Sequence, residues 1–161
     1  MHKAFIGIGS NLGDKKAYCK KALVLLNALP KTKVKKTSSF YLTEPVGEKA
    51  QPWFINLVAF LETELNPYTL FFWLKHIEHL MGRFRTWDKG PRIIDLDLLL
   101  YDELIINTPT LTIPHPRLHE RGFVLAPLAE VAMEERHPIL KQNIKQLWSK
   151  CKYKGWVIRI K

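Results

Sequence analysis

"FINLVAFLE", residues 54–62, is apolar at both its odd and its even positions. Successive strand side chains point to opposite faces, so a segment apolar on both must be covered on both. That predicts a central strand, and the neighbouring elements fall into place around it. Upstream, "AFIGIGS" (4–10) reads as a first strand. A turn at Asn11–Gly13 follows, with a helix from about Asp14 to Ala28 marked by Ala22, Leu25, Leu26 and Leu29 and stopped by Pro30. "KVKKTSSFYLT" (33–43) alternates as one second strand, and Pro45, Gly47 and Pro52 mark the loop after it. Downstream, Asn66 caps and Pro67 opens a second helix with Leu70, Leu74, Ile77 and Met81 on its buried face. A charged loop leads into "GPRIIDLDLLLY" (90–101), then short extended pieces and a third helix near Val124–Met133. Strand, helix, two strands, helix, strand is the order of an α+β, ferredoxin-like fold, in which helices cover one face of a mainly antiparallel sheet.

The chain has 161 residues and shows no repeat, low-complexity tract or Pro/Gly-rich linker, which predicts one domain over residues 1–161. An apolar fraction of 47% fits a packed globule rather than a disordered chain. No apolar run approaches the roughly 20 residues needed to span a bilayer, and the N-terminal apolar stretch is too short for a signal peptide. Cys19 and Cys151 make no CxxC motif, so the cytoplasm is the expected compartment. The net charge of +10 suggests an anionic partner without choosing among nucleic acid, lipid and a phosphorylated small molecule. Part of the excess is bland: "KTKVKK" (31–36) and "KCKYKGWVIRIK" (150–161) alternate basic and apolar residues as solvent-facing strands do.

Two acids interrupt the apolar run of residues 90–101. Asp95 and Asp97 share a face, about 7 Å apart at the backbone, while Ile94, Leu96, Leu98 and Leu100 fill the other. Such carboxylates are either solvated or held ionised by a divalent cation, and all-oxygen ligation points to Mg²⁺. Arg83, Arg85, Lys89 and Arg92 precede them, and His115 and Arg121 follow. Metal plus several cations describes a polyphosphate clamp; the alternative is the scattered surface arginines of a basic protein. Phe54 and Asn56 share a face of the central strand, with Thr43, Pro45 and Val46 before it and Phe123 after Arg121. Rings that stack and an amide that reads an edge suit a flat polar heterocycle, though two core phenylalanines and an amide bonded to loop backbone read equally well.

Three patterns are weaker. "GIGSNLG" (7–13) lacks both dinucleotide and phosphate-loop spacing, so a tight strand-to-helix turn is expected. His76 and His79 are expected on a helix surface. His115 and His119 stand four apart, but Pro114 and Pro116 argue against a regular helix there.

"IGIGSNLGD", "SSFYLTEPVG" with "QPWFIN", "GPRIIDLDLLLY" and "PHPRLHERGFVLAPLAEVA" together resemble the 6-hydroxymethyl-7,8-dihydropterin pyrophosphokinases of folate biosynthesis, in order from about Ala4 to Met133. The resemblance implies transfer of pyrophosphate from MgATP to the pterin's hydroxymethyl oxygen, giving AMP and the pterin diphosphate. It implies that Asp95 and Asp97 bind two Mg²⁺ ions arriving with ATP, and that Arg83 and Arg92 act with them in catalysis. Lys75, Glu78, Arg85, Arg92, His115 and Arg121 match the nucleotide-binding positions, and Thr43, Val46, Phe54, Asn56 and Phe123 the pterin pocket. Residues 83–89 match a mobile lid, with which the loop at 45–51 moves. Lys89 stands where the family commonly has Trp, with Trp87 two residues earlier; Phe54 replaces a frequent Tyr and Lys75 a frequent Gln. The partners implied are ATP and 6-hydroxymethyl-7,8-dihydropterin, with neither nucleic acid nor membrane, and a monomer is expected.

Two rivals remain at the level of sequence. A basic ferredoxin-like RNA-binding module would need an RNP-type aromatic segment, of which "GFVL" (122–125) is only a fragment. A Mg²⁺-dependent phosphodiesterase would use the same paired acids for hydrolysis.

Overall fold

The computed structural model describes residues 1–46, 50–83, 90–152 and 155–160. Its strands are β1 (His2–Ser10), β2 (Thr32–Thr37), β3 (Phe40–Thr43), β4 (Phe54–Thr63), β5 (Asp95–Tyr101), β6 (Ile106–Asn107), β7 (Thr112–Ile113) and β8 (Val157–Ile160). Its helices are α1 (Lys15–Asn27), α2 (Pro67–Leu80), α3 (Gly122–Ala132) and α4 (Ile144–Lys150). β4 is central, as its two apolar faces require. It pairs along its whole length with β1, whose other edge carries β5. The far edge of β4 is shared by β2 and β3, and β8 extends the sheet beyond β3. The described pairings are antiparallel.

The two helices read from apolar spacing stand where the caps put them. The Asp14 carboxylate accepts from the Ala17 amide at 3.2 Å, and the Asn66 side chain accepts from the Thr69 amide at 2.9 Å. Leu26 of α1 and Leu70, Leu74 and Ile77 of α2 are buried against Ile6, Ile8, Leu57, Leu61, Leu96 and Leu98 of the sheet.

Helices on one face alone is corrected. α3 lies across the second face, where Val124, Leu125 and Leu128 pack on Phe5, Val58, Leu99 and Leu100, with Ile144 and Leu147 of α4 behind them. Gly122 and the unbroken run Val124–Leu128 are buried, a composition no half-exposed helix would carry. α3 does not reach the end of the sheet where β5 begins, and the part it leaves open becomes the site.

Two smaller readings are also corrected, and one helix is added. Residues 33–43 form two strands, broken at Ser38 and Ser39. There the Ser38 hydroxyl accepts from the Val58 amide at 2.9 Å, and the Ser39 amide donates to the Glu130 carboxylate rather than to a neighbouring strand. Leu100 faces the same side as Asp97 and Leu99, because a bulge where β5 meets Phe5–Ile6 of β1 inserts one residue and reverses the alternation. Ahead of the basic stretch 150–161, which carries β8, stands α4, a helix not read from the sequence; its cap Asn143 and Gln146 bond each other reciprocally.

Candidate active site

Strand register builds the floor. Asp95 of β5 stands opposite Gly9 of β1, which stands opposite Asn56 of β4; one step along, Asp97, Gly7 and Val58 form the same row. The two glycines remove the side chains that would separate the acids from Asn56. A Cβ on Gly9 would collide with Asn56 Oδ1 and lie 3.6 Å from the Phe54 ring. Gly7 and Gly9 are therefore strand residues flooring a cleft rather than parts of a turn; of the three, only Gly13, with φ +69°, occupies the turn. Their alternate spacing within an apolar strand was the available signal.

The cleft encloses about 730 Å³ when the open solvent at its mouth is counted. Thr43, Val46, Phe54, Asn56, Arg92, Asp95, Asp97, Arg121 and Phe123 all line it, together with Glu44. Asn56 Nδ2 donates to Thr43 Oγ1 at 2.7 Å, which fixes the amide and leaves its oxygen over Gly9, aimed into the cleft. The Arg92 guanidinium lies 5.8 Å from the Phe54 ring centroid and the Arg121 guanidinium 5.6 Å from that of Phe123. Each aromatic wall thus has a guanidinium over its ring.

Both oxygens of Asp95 are engaged. Arg83 donates to one at 3.1 Å and Arg92 to the other at 3.3 Å. Asp97 is pushed up to about 7, by burial first and then by the charge of Asp95 beside it. One carboxylate is thus neutralised by arginines and the other pressed toward its protonated form. Among the described residues no group of three or more His, Cys, Asp or Glu could hold an ion unaided. Two carboxylates on one face, in need of positive charge and short of ligands, suit a Mg²⁺ ion whose remaining ligands come with a phosphate substrate.

Lys75, Glu78 and His115 stand along β5 outside the walls of this cleft. The Glu78 carboxylate is buried; it accepts the Leu96 amide at 2.7 Å and pairs with Arg83 at 2.9 Å and Lys75 at 3.3 Å. It ties α2 to the strand residue between the two aspartates and sets the starting position of Arg83. Burial raises its pKa, Lys75 opposes that rise, and Asp95 adds to it. The His115 amide donates to the Leu99 carbonyl at 2.9 Å, and burial, with Arg121 nearby, lowers its imidazole to about 4, so it is neutral at pH 7. Arg85, and with it Trp87 and Lys89, lies outside the described residues.

One organiser was not read from the sequence. Asn11, 1% exposed, exchanges two bonds with the Arg92 backbone, donating its amide at 3.0 Å and accepting through Oδ1 at 2.7 Å. Its Nδ2 donates to Gln51 Oε1 at 2.7 Å and to the Pro52 carbonyl at 3.0 Å. It clamps the lead-in to β5 against the segment that opens β4, so Arg92 and the Phe54 wall share one anchor. Nothing in "GSNLG" distinguishes such an asparagine from an ordinary turn residue.

Residues 5–133 match the family described as 7,8-dihydro-6-hydroxymethylpterin-pyrophosphokinase. The 2-amino-4-hydroxy-6-hydroxymethyldihydropteridine pyrophosphokinase of Bacillus subtilis is 44% identical over 131 residues, covering 81% of this chain and 78% of that protein. Its counterpart in Pseudomonas aeruginosa is 36% identical over 155 residues, covering 96% and 95%. A wild-type Plasmodium falciparum HPPK-DHPS structure superposes with a TM-score of 0.75 over 99% of this chain at 17% identity, a likeness of fold. This chain spans 47% of that longer one. With a model matching most of its length and relatives this similar, the chain belongs to the 7,8-dihydro-6-hydroxymethylpterin-pyrophosphokinase family.

Proposed function

We infer that the chain transfers the pyrophosphoryl group of ATP to the hydroxymethyl oxygen of 6-hydroxymethyl-7,8-dihydropterin, producing AMP and the pterin diphosphate in folate biosynthesis. The observation that carries this reading is one glycine-floored cleft uniting an aromatic, amide-edged pocket with paired carboxylates and arginines. The whole chain, residues 1–161, acts as one pyrophosphokinase domain, and β8 of its C-terminal section completes the sheet. We place it in the cytoplasm, where its two buried cysteines stay free thiols; no described helix is long and apolar enough to cross a membrane.

In this reading the pterin lies between Phe54 and Phe123, with Val46 at its rim and the Asn56 oxygen accepting from its pyrimidine edge. That leaves the hydroxymethyl group toward Asp95 and Asp97. Arg83 and Arg92, which pair with Asp95, exchange that carboxylate for phosphate oxygens when ATP enters. Their charge, with Arg121 and Arg85, offsets what accumulates on the transferred group and on departing AMP. The hydroxymethyl oxygen attacks the β-phosphorus in line as the bond from that phosphorus to the AMP oxygen breaks. Lys75, Glu78 and neutral His115 frame the nucleotide along β5. Enzymes of this family use ATP, which comes with Mg²⁺; Asp95 and Asp97 would hold it, as two ions in our reading, and it would withdraw electron density from the triphosphate. Positioning and charge carry the step, without a side chain assigned as general base.

Neither rival is favoured. An RNA-binding sheet needs an open face, whereas here α1 and α2 cover one and α3 most of the other. A phosphodiesterase would release AMP from ATP without an acceptor. The deciding assay follows AMP formation with and without 6-hydroxymethyl-7,8-dihydropterin: AMP appearing only with the pterin is expected, and equal AMP without it would overturn the assignment.

A further inference from the structure

β8 lies beyond the residues that match the family, and it adds little to the core: Ile158 and Arg159 are exposed, and Val157 and Ile160 only half-buried. Its polar contacts are more specific. At one end Arg159 Nε donates to the Ser39 hydroxyl at 2.9 Å, just before β3 begins. The ladder then pairs Phe40 with Ile160 and runs on to Thr43 with Val157. At the other end the pairing outlasts the strand. The Glu44 amide donates to the Trp156 carbonyl at 3.2 Å, and Glu44 Oε1 accepts the Trp156 amide at 3.2 Å. Room for that carboxylate comes from Gly155, whose φ is +58° and where a Cβ would stand 2.6 Å from Glu44 Oε1. Covering the outer edge of β3 accounts for the ladder. It does not account for a side chain that bonds back to the strand's lead-in, or for a glycine that leaves it space.

The neighbours of Glu44 supply a reason. Thr43, before it, accepts the Asn56 amide at 2.7 Å, and Val46, two residues on, lines the ring pocket, as Glu44 itself does. On the β4 side the ladder stops at Thr43–Phe54. The rim that follows leaves that support, while the bonds to Trp156 continue one residue further. We propose that Glu44, clasped by Gly155 and Trp156, is a positioning residue for the pterin: it holds residues 43–46 at the separation from Phe54 and Asn56 that admits the ring. The C-terminal strand is thereby a working part of the ring pocket. It has no part in the phosphate half, because β8 and β5 are opposite edges of the six-stranded sheet. The proposal rests on the pterin reading of that pocket.

Titration calorimetry on the full chain reads the two halves apart, with 6-methylpterin for one and a non-hydrolysable ATP analogue with Mg²⁺ for the other. Glu44→Ala removes the acceptor, and Gly155→Ala drives a methyl group against it from outside the ring pocket. Each should weaken 6-methylpterin by about fivefold, roughly what one hydrogen bond contributes, while affinity for the ATP analogue changes less than twofold. The double variant should bind no more weakly than either single one, because both break the same clasp. Glu44→Gln, whose amide oxygen still accepts the Trp156 amide, should recover most of the loss. In turnover the loss should appear in KM for the pterin with kcat retained. Wild-type affinity in Gly155→Ala overturns the positioning role. So do losses that add in the double variant, or Glu44→Gln as weak as Glu44→Ala, since the carboxylate would then meet the ligand itself. A parallel loss of ATP-analogue affinity overturns it too, by showing a general loosening of the sheet. Failure of wild type to bind 6-methylpterin is a different result, since it removes the pterin assignment and the positioning role with it.

Discussion

Asp97 carries the sharpest conflict between stability and use. Its carboxyl, pushed up to about 7, is one the fold alone would rather leave uncharged. Asp97→Asn keeps the shape and removes the conflict. It is predicted to cut kcat at least 100-fold while the melting temperature stays level or rises, read by AMP release and calorimetry. A fall in melting temperature with turnover intact would show that the carboxylate serves the fold instead. Gly9 makes the complementary case on the ring side. Gly9→Ala drives a methyl group into Asn56 Oδ1, which must then turn away from the cleft. Pterin affinity should fall at least tenfold while ATP affinity changes less than threefold; equal loss of both would mean a general distortion of β1.

At the scale of elements, the apolar seat of α3 on the sheet is reinforced by one carboxylate. Glu130 accepts from the Ser39 amide at 3.0 Å, the Ser39 hydroxyl at 3.0 Å and the Tyr41 hydroxyl at 2.7 Å, with Arg159 of β8 at 3.6 Å. Burial acts to raise its pKa, but the bonds from Tyr41 and Ser39 and the charge of Arg159 outweigh it, and the net shift is downward. A depressed acid stabilises the fold above its unfolded value, about 4.3, and that contribution is lost as pH falls through the lower folded value. Glu130→Gln is therefore predicted to destabilise by about 1–3 kcal/mol at pH 7. The gap to wild type should narrow as pH drops below about 4, as followed by urea unfolding. A gap independent of pH would mean that the ionised form has no special part. Because α3 presents Arg121 and Phe123 at its start, the same variant should also weaken pterin binding several-fold.

Across the whole molecule, what was legible in the sequence is what repeats. Periods of two and 3.6 placed β4, α1 and α2, and the cap at Asn66 with Pro67 marked the start of α2, because each depends on neighbours a few residues away. Features set by distant partners were not legible. The break at Ser38–Ser39 depends on Val58 and Glu130, the turned face of Leu100 on a bulge against Phe5–Ile6, and the second helical layer on how far α3 reaches. The site divides in the same way. The acids, the arginines and Phe54 with Asn56 stood out because polar groups interrupt apolar strands or cluster in one loop. Gly7, Gly9 and Asn11 did not, since their work is to leave space or to join two remote segments. All these parts meet where β5, β1 and β4 run side by side, and the claim on which the rest hangs is that Asp95 and Asp97 bind the metal that travels with the nucleotide. The direct measurement is titration of wild type, Asp95→Asn and Asp97→Asn with a non-hydrolysable ATP analogue, with and without Mg²⁺. Wild type should bind at least tenfold tighter when Mg²⁺ is present, and both variants should lose that difference. Full Mg²⁺ dependence retained in both variants would contradict the account.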